Sequence, residues 1–268
     1  MKMTEVVAEI KKDYIHNLVK NNKRIDGRHF EEYREISIET GIISHANGSA
    51  LVKIGNTQVI VGIKAEIGEP FSDTPDKGVL TTNVELVPLA SPTFEPGPPD
   101  ENSIEIARVV DRGIREGKMI DLDNLCIIEG KKVWVIFIDV HVLDHDGNLI
   151  DASALGAVAA LLNSKIPKVE VVNDEVIINE KELIPLPINS VPVYCTMGKI
   201  DDKLIVDPVL DEEMVMSGRL TFVLLEDNTI CAMQKGENET FKLEEVFSAL
   251  EKAKKNASKI RSMLRGVI

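Results

Sequence analysis

NGSALVKIGNTQVIVGIKA (residues 47–65) reads as two strands and the turn between them. Ser49–Ile54 and Gln58–Ala65 are mostly apolar, and Gly55-Asn56 supplies the positive φ that a tight hairpin needs. Asn47-Gly48 is a second turn of the same kind, so Ser49–Ile54 also pairs back onto a strand at Glu35–Ile43. The result is a three-strand meander, and Val79–Val87 alternates well enough for a fourth strand. Further along, Lys132–Leu143 (KVWVIFIDVHVL) is nearly all apolar and β-branched, which predicts a strand buried on both faces.

Helical spacing surrounds these strands. Val7, Ile10, Tyr14 and Leu18 recur close to a helical period in residues 4–20. PLASPTFEPGPP, residues 88–99, holds five prolines and can only be a loop. Asp100 or Ser103 then caps a helix running to about Gly117. A second helix, Asp151–Asn163, follows the Asp146-Gly147-Asn148 turn. Residues 166–187, with several prolines and a charged NEKE turn, mark a boundary. Beyond it lie strands at Pro192–Met197, Lys203–Val206, Arg219–Leu225 and Thr229–Gln234. A long helix closes the chain, with Leu243, Val246, Phe247, Leu250, Ala253, Ile260 and Leu264 on one face. Strands then a helix, in each half, predict an α+β protein built twice, its sheets packed against helices. The expected division is a helix and arm over 1–22, a first subdomain over 23–165, a linker over 166–189 and a second subdomain over 190–268.

Composition narrows the function. The 268 residues carry 31 basic and 44 acidic side chains, a net charge of −13, and only 4 % are aromatic. Such a chain neither coats nucleic acid with a basic surface nor stacks a row of bases, so any nucleic-acid contact is local and made by a few arginines. No apolar run approaches the roughly 18 residues that cross a bilayer, and the acids in MKMTEVVAEIKKDY speak against a signal peptide. No membrane partner is expected. The three cysteines, Cys126, Cys195 and Cys231, are far apart and outside any C-x-x-C spacing, which predicts a cytoplasmic protein without disulfides or zinc.

Three clusters are candidates for chemistry. Arg108, Arg112 and Arg115 share one face of the 101–117 helix, opposite Ile106, Ala107, Val110 and Ile114. A line of guanidinium groups can fork onto successive phosphates of one strand. Equally, Glu105–Arg108, Asp111–Arg115 and Arg112–Glu116 have intrahelical ion-pair spacing, which makes a solvated face. The Asp144–Asn148 turn opens a helix where an anion can bind free N–H groups, but its aspartates repel phosphate, and it reads as a capped helix start without a metal. Asp207, Asp211, Glu212 and Glu213 form an acidic cluster that reads as solvated. His16, His29, His45, His141 and His145 lack a nucleophile at useful spacing, and His141 reads as a core residue.

Arg24-Ile25-Asp26-Gly27-Arg28 has the R-x-D-G-R form that opens ribonuclease PH-type proteins, and the chain from Gly48 to Val59 resembles their G-S-x-L-V-x-x-G-x-T-x-V hairpin. The strand ending in Asp146-Gly147, followed by Ala152 and Gly156-Ala157, is similar to their strand–loop–helix. The resemblance runs from about residue 20 to 260 and implies a ribonuclease PH-like fold. The family chemistry is phosphorolysis: inorganic phosphate attacks the 3′-terminal linkage of RNA and releases a nucleoside diphosphate. Within the family, Ile106–Arg112 and Val206-Asp207-Pro208 are most similar to the non-catalytic ring subunits of archaeal exosomes.

The departures from the active pattern carry the functional expectation. Active members follow the loop glycine with small residues and an arginine that holds phosphate; here the loop is Gly147, Asn148, Leu149 and Ile150. They also keep two aspartates six apart, where this chain has Glu213 and Arg219. Losing the phosphate-positioning cation and the second acid removes both halves of the mechanism. The resemblance therefore implies a silent subunit with no cofactor, alternating with a catalytic ribonuclease PH-like subunit in a hexameric ring. It also implies RNA-binding cap subunits, and single-stranded RNA contact by Arg108, Arg112 and Arg115. The rival expectations are an active phosphorolytic exoribonuclease and a structural scaffold that touches no RNA.

Overall fold

In the computed structural model, which describes residues 3–266, helix α1 (Met3–Lys20) leads into the meander β1 (Ile36–Thr40), β2 (Gly48–Ile54) and β3 (Thr57–Gly68). Then come β4 (Val79–Leu86), α2 (Glu101–Glu116), β5 (Cys126–Ile128), β6 (Lys132–Asp144) and α3 (Leu149–Leu162). The first sheet has the order β1-β2-β3-β6-β4, with β5 paired to β6. β4 runs parallel to β6, and α2 lies in the crossover between them. Asp100 is the cap of α2, its carboxylate accepting the Ser103 N–H at 2.8 Å.

β6 is not buried on both faces. Val133, Ile136, Ile138, Val140 and Val142 are buried, whereas Val135, Phe137, Asp139, His141 and Leu143 are half-buried. Helices cover one side of this sheet only, and the apolar residues on the other side made the strand read as buried throughout. His141 lies on that open side and pairs with Glu85 at 3.2 Å, so it is not a core histidine. α1 also differs in detail: over residues 11–20, whose side chains are described, Ile15 and Val19 are buried while Tyr14 is exposed, a rotation of one position. The side chains of Val7 and Ile10 lie outside the described residues.

Residues 166–189, expected as a linker, are largely an ordered hairpin of β7 (Lys165–Val172) and β8 (Glu175–Pro185). Asn173 and Asp174 both take positive φ, the conformation of a two-residue hairpin turn. Most of the hairpin is exposed, so its sequence lacks the buried alternation of a core strand.

The second half comprises β9 (Val193–Ile200), β10 (Lys203–Val206), α4 (Leu210–Glu213), β11 (Gly218–Leu224), β12 (Ile230–Gly236) and α5 (Leu243–Arg265). Its antiparallel sheet has the order β10-β9-β11-β12, and α5 packs on β9 and β11. The buried stripe of α5 is Ala249, Ala253, Ala257, Ile260 and Leu264, with Asn256 and Arg261. Leu243 and Phe247 are exposed, contrary to expectation, because the small alanines rather than the bulky first-turn residues approach the sheet.

α3 joins the halves. Every residue from Leu149 to Leu161 is buried, as a helix apolar all round requires. It touches β2, β3 and β6 of the first sheet and β9 of the second, and one hydrophobic core runs through both halves. α2 is drawn against β9 at Gly113, where any Cβ would collide with the Tyr194 ring; the Tyr194 hydroxyl donates to the Val110 carbonyl at 2.5 Å.

Candidate functional site

The acidic cluster read as solvated is largely a buried anchor. Asp207 and Glu212 are fully buried. Arg24 donates to Glu212 through Nε and Nη2, at 2.9 and 2.6 Å, and to the Val206 and Asp207 carbonyls, both at 2.9 Å. Arg28 Nη1 reaches Asp207 Oδ2 at 2.9 Å, and Asp26 accepts the Arg28 Nε at 2.6 Å. Arg34 adds three hydrogen bonds to Asp207, from its backbone N–H, Nε and Nη2. The R-x-D-G-R motif is thus a clamp on the 206–212 loop. Burial pushes the Asp207 carboxyl upward, but the Arg34 and Arg28 guanidinium groups overcome it and hold the group below the usual carboxylate range.

This clamp sets the Gly147–Ile150 turn. Arg34 donates to the Asp146 and Gly147 carbonyls at 2.6 and 3.2 Å, and Thr57 Oγ1 to the Gly147 carbonyl at 2.7 Å. Gly147 has φ +87°, and a Cβ there would lie 2.5 Å from Leu210 N, so only glycine fits. Asn148 follows in the left-handed region at φ 54°. Its amide nitrogen donates to Asp151 Oδ2 at 2.9 Å and Asp207 Oδ1 at 2.7 Å, and its side chain makes no capping bond to α3. The cap comes from far along the chain: the Asn148 backbone N–H donates to Glu213 Oε1 at 2.8 Å. Leu149 and Ile150 are buried in the core.

A carboxylate of the protein therefore occupies the anion position at the start of α3. Glu213 lines a cavity of about 220 Å³ together with Asn148, Leu149, Ile150 and Arg219, so the degenerate loop and the altered acidic pair meet in one place. Arg219 is turned to Glu105, Nη2 to Oε1 at 2.5 Å, which neutralises it. His145 stacks on Phe94 at the same cavity, ring centroids 5.3 Å apart, and burial pushes its imidazole toward the neutral form. Among the described residues no group of three His, Cys, Asp or Glu side chains is arranged to hold a metal.

Burial also pushes the Glu213 carboxyl up, to about 7, despite the Asn148 N–H and the nearby Arg219 and Arg34. The unfolded chain loses this proton near the ordinary 4.5 while the folded chain keeps it until about 7. Stability from this group is therefore complete below the first value and is lost as pH rises through the second. Glu213→Gln keeps an acceptor for Asn148 without titrating. It is expected to gain on the parent between pH 5 and 8, by on the order of 2 kcal/mol, in denaturant melts. A gap independent of pH would contradict this.

The arginine face of α2 lies on a separate groove of about 320 Å³, lined by Ile104, Arg108, Arg112 and Gln234; Glu105 borders both spaces. Only one of the three possible intrahelical ion pairs forms. Asp111 holds Arg115 at 2.9 Å, and Arg115 also donates to the Leu80 carbonyl. Glu105 is taken by Arg219, leaving Arg108 exposed and without an ion pair or hydrogen bond among the described residues. Arg112 contacts the neutral Gln234 at 3.2 Å rather than Glu116. Two unneutralised cations on an exposed face can donate hydrogen bonds to phosphate oxygens.

Comparison with known proteins agrees with this architecture. Models of the 3′ exoribonuclease family match residues 32–167 (domain 1) and 190–256 (domain 2). The exosome complex component Rrp42 of Pyrococcus furiosus is 58 % identical over 267 residues, 98 % of this chain and 96 % of that protein. A chain in the Archaeoglobus fulgidus exosome with RNA bound to the active site is 48 % identical and superposes with a TM-score of 0.89, over 96 % of this chain and 98 % of that one. A chain of an archaeal exosome core is 43 % identical at a TM-score of 0.87, over 98 % and 99 %.

Proposed function

The chain belongs to the 3′ exoribonuclease family, with its ribonuclease PH-like fold, and from this premise we propose that it is a non-catalytic ring subunit of an archaeal RNA exosome. The relatives named as exosome components and exosome cores support the assembly. The observation that carries catalytic silence is the α3 N-terminus: Glu213 accepts the Asn148 N–H where an attacking phosphate would need free donors, and the buried Ile150 supplies no cation. Glu213 already fills the donor site, the charge it gains as pH rises through about 7 adds like-charge repulsion, and nothing positions the phosphate.

In this reading the chain alternates with a catalytic ribonuclease PH-like subunit in a hexameric ring, topped by RNA-binding cap subunits. It shapes the partner's phosphorolytic site and grips single-stranded RNA through Arg108 and Arg112 during 3′-to-5′ degradation. Arg115 is already engaged by Asp111 and Leu80 and serves to hold α2 on β4. The acidic body repels RNA everywhere except at such local cations. No described helix is long and apolar enough to cross a membrane, and we place the assembly in the cytoplasm, with no cofactor held by this chain.

The test has two parts. The purified chain, incubated with oligoadenylate, inorganic phosphate and magnesium, is expected to release no ADP. Coexpressed with a catalytic homologue, it is expected to yield a complex with the mass of an alternating hexamer. Steady ADP release in proportion to this chain alone would make it an exoribonuclease in its own right.

A further inference from the structure

Two guanidinium groups compete for Glu105. Arg108 lies one turn ahead on α2 at ion-pair spacing, and Arg219 arrives from β11 in the second half. Arg219 takes the carboxylate, the two side chains being 15 % and 33 % exposed, while Arg108 stands in solvent. Water screens such a half-buried pair less than the exposed one Arg108 would make, so the distant partner wins. A glycine clears the way. Arg219 lies opposite Gly236 in the β11–β12 ladder, and a Cβ on Gly236 would sit 2.7 Å from Arg219 Nη2 and 3.0 Å from its Cζ. The guanidinium passes over bare backbone to reach α2.

Glu105 also acts on the second free cation. The same Oε1 accepts from Gln234 Nε2 at 3.3 Å, and Gln234 Oε1 accepts from Arg112 Nη1 at 3.2 Å. An amide has one donor end and one acceptor end, so the carboxylate at one end fixes which end meets Arg112. Arg112 is thus held by a neutral oxygen and keeps its charge. We propose that Arg219 is a positioning residue for RNA: by holding Glu105 it leaves Arg108 free, lets Gln234 aim Arg112, and so sets how many cations the α2 face offers to phosphate. This rests on the proposed grip of RNA by Arg108 and Arg112.

In the ring reconstituted with a catalytic homologue, Arg219→Ala is expected to release Glu105 to Arg108. Oligoadenylate binding should weaken about tenfold, and the logarithmic salt dependence should flatten by roughly 0.7, the share of one single-strand phosphate contact. Adding Glu105→Gln to Arg219→Ala removes the competing charge, keeps an acceptor for Gln234, and is expected to restore the affinity. Gly236→Ala alters no charge but pushes the guanidinium off Glu105, so it should weaken binding too, which an effect of net charge alone would not do. A crystal structure of the Arg219→Ala chain, with or without the ring, should place Glu105 within about 4 Å of Arg108. Parent-like binding by Arg219→Ala or Gly236→Ala, no recovery with Glu105→Gln, or Glu105 still apart from Arg108 would overturn the proposal. If replacing Arg108 and Arg112 together weakens binding while Arg219→Ala does not, the RNA grip stands and the role of Arg219 alone falls.

Discussion

Asp207→Ala is expected to destabilise the protein by roughly 3–5 kcal/mol. The side chain accepts hydrogen bonds from Arg28, three groups of Arg34 and the Asn148 amide, all within 2.7–2.9 Å. Truncation removes the buried counter-charge that the two guanidinium groups share, leaving Arg28 with Asp26 at 2.6 Å and Arg34 with the more distant Asp146 at 3.7 Å. Asp207 also sits at φ 50°, a conformation that aspartate and asparagine tolerate better than alanine. Asp207→Asn should accordingly fall between parent and alanine, since it keeps the backbone preference and loses the charge. Urea unfolding at pH 7 checks the order. The depressed carboxyl stabilises the fold above the ordinary carboxylate range, and that contribution is lost as pH falls through its folded value. The gap between parent and alanine variant should therefore narrow in acid, the opposite trend to Glu213→Gln. A cost below about 1 kcal/mol would mean the cluster is solvated after all.

Replacing Arg108 and Arg112 together by alanine is expected to weaken RNA binding by the reconstituted ring by about 10- to 100-fold at low salt. The logarithmic salt dependence should flatten by roughly 1.4, at about 0.7 per phosphate contact on a single strand. Neither residue holds the fold, as Arg108 has no partner among the described residues and Arg112 only Gln234. Assembly and thermal stability should stay unchanged, which separates this outcome from a folding defect. Arg115→Ala provides the contrast: it breaks the Asp111 pair and the bond to Leu80, so its effect should be on stability more than on RNA. An unaltered affinity and slope for the double variant, with the ring intact, would reduce the α2 face to scaffold.

What could be read in advance was local. The Gly55-Asn56 turn depends on a few adjacent residues and forms as its chemistry demands, with Gly55 at φ 58° and Ile54 opposite Thr57. Asn47-Gly48 is not a tight turn, because residues 41–47 connect β1 to β2, Gly48 already belongs to β2 and neither residue takes a positive φ. Faces were less legible. The rotated stripe of α1 and the alanine stripe of α5 depend on where the core lies, which a helical period alone does not fix. Pairings across long separations were invisible: nothing near Glu212 says that its partner is Arg24, 188 residues away. The same limit governs the arginine helix. Glu105 has the right spacing to neutralise Arg108, and only the arrival of Arg219 from β11 diverts it. The substitution of an acidic position by Arg219, read as a loss, is thus also what leaves a cation uncovered on α2.

α3 has an implication for how the molecule comes into being. It is continuous in sequence with the first half, yet it also buries surface against β9. A nascent chain that has emerged only as far as Ser164 carries a greasy rod with part of its flank wet. The second half finishes the first, so synthesis reaches a self-sufficient object late.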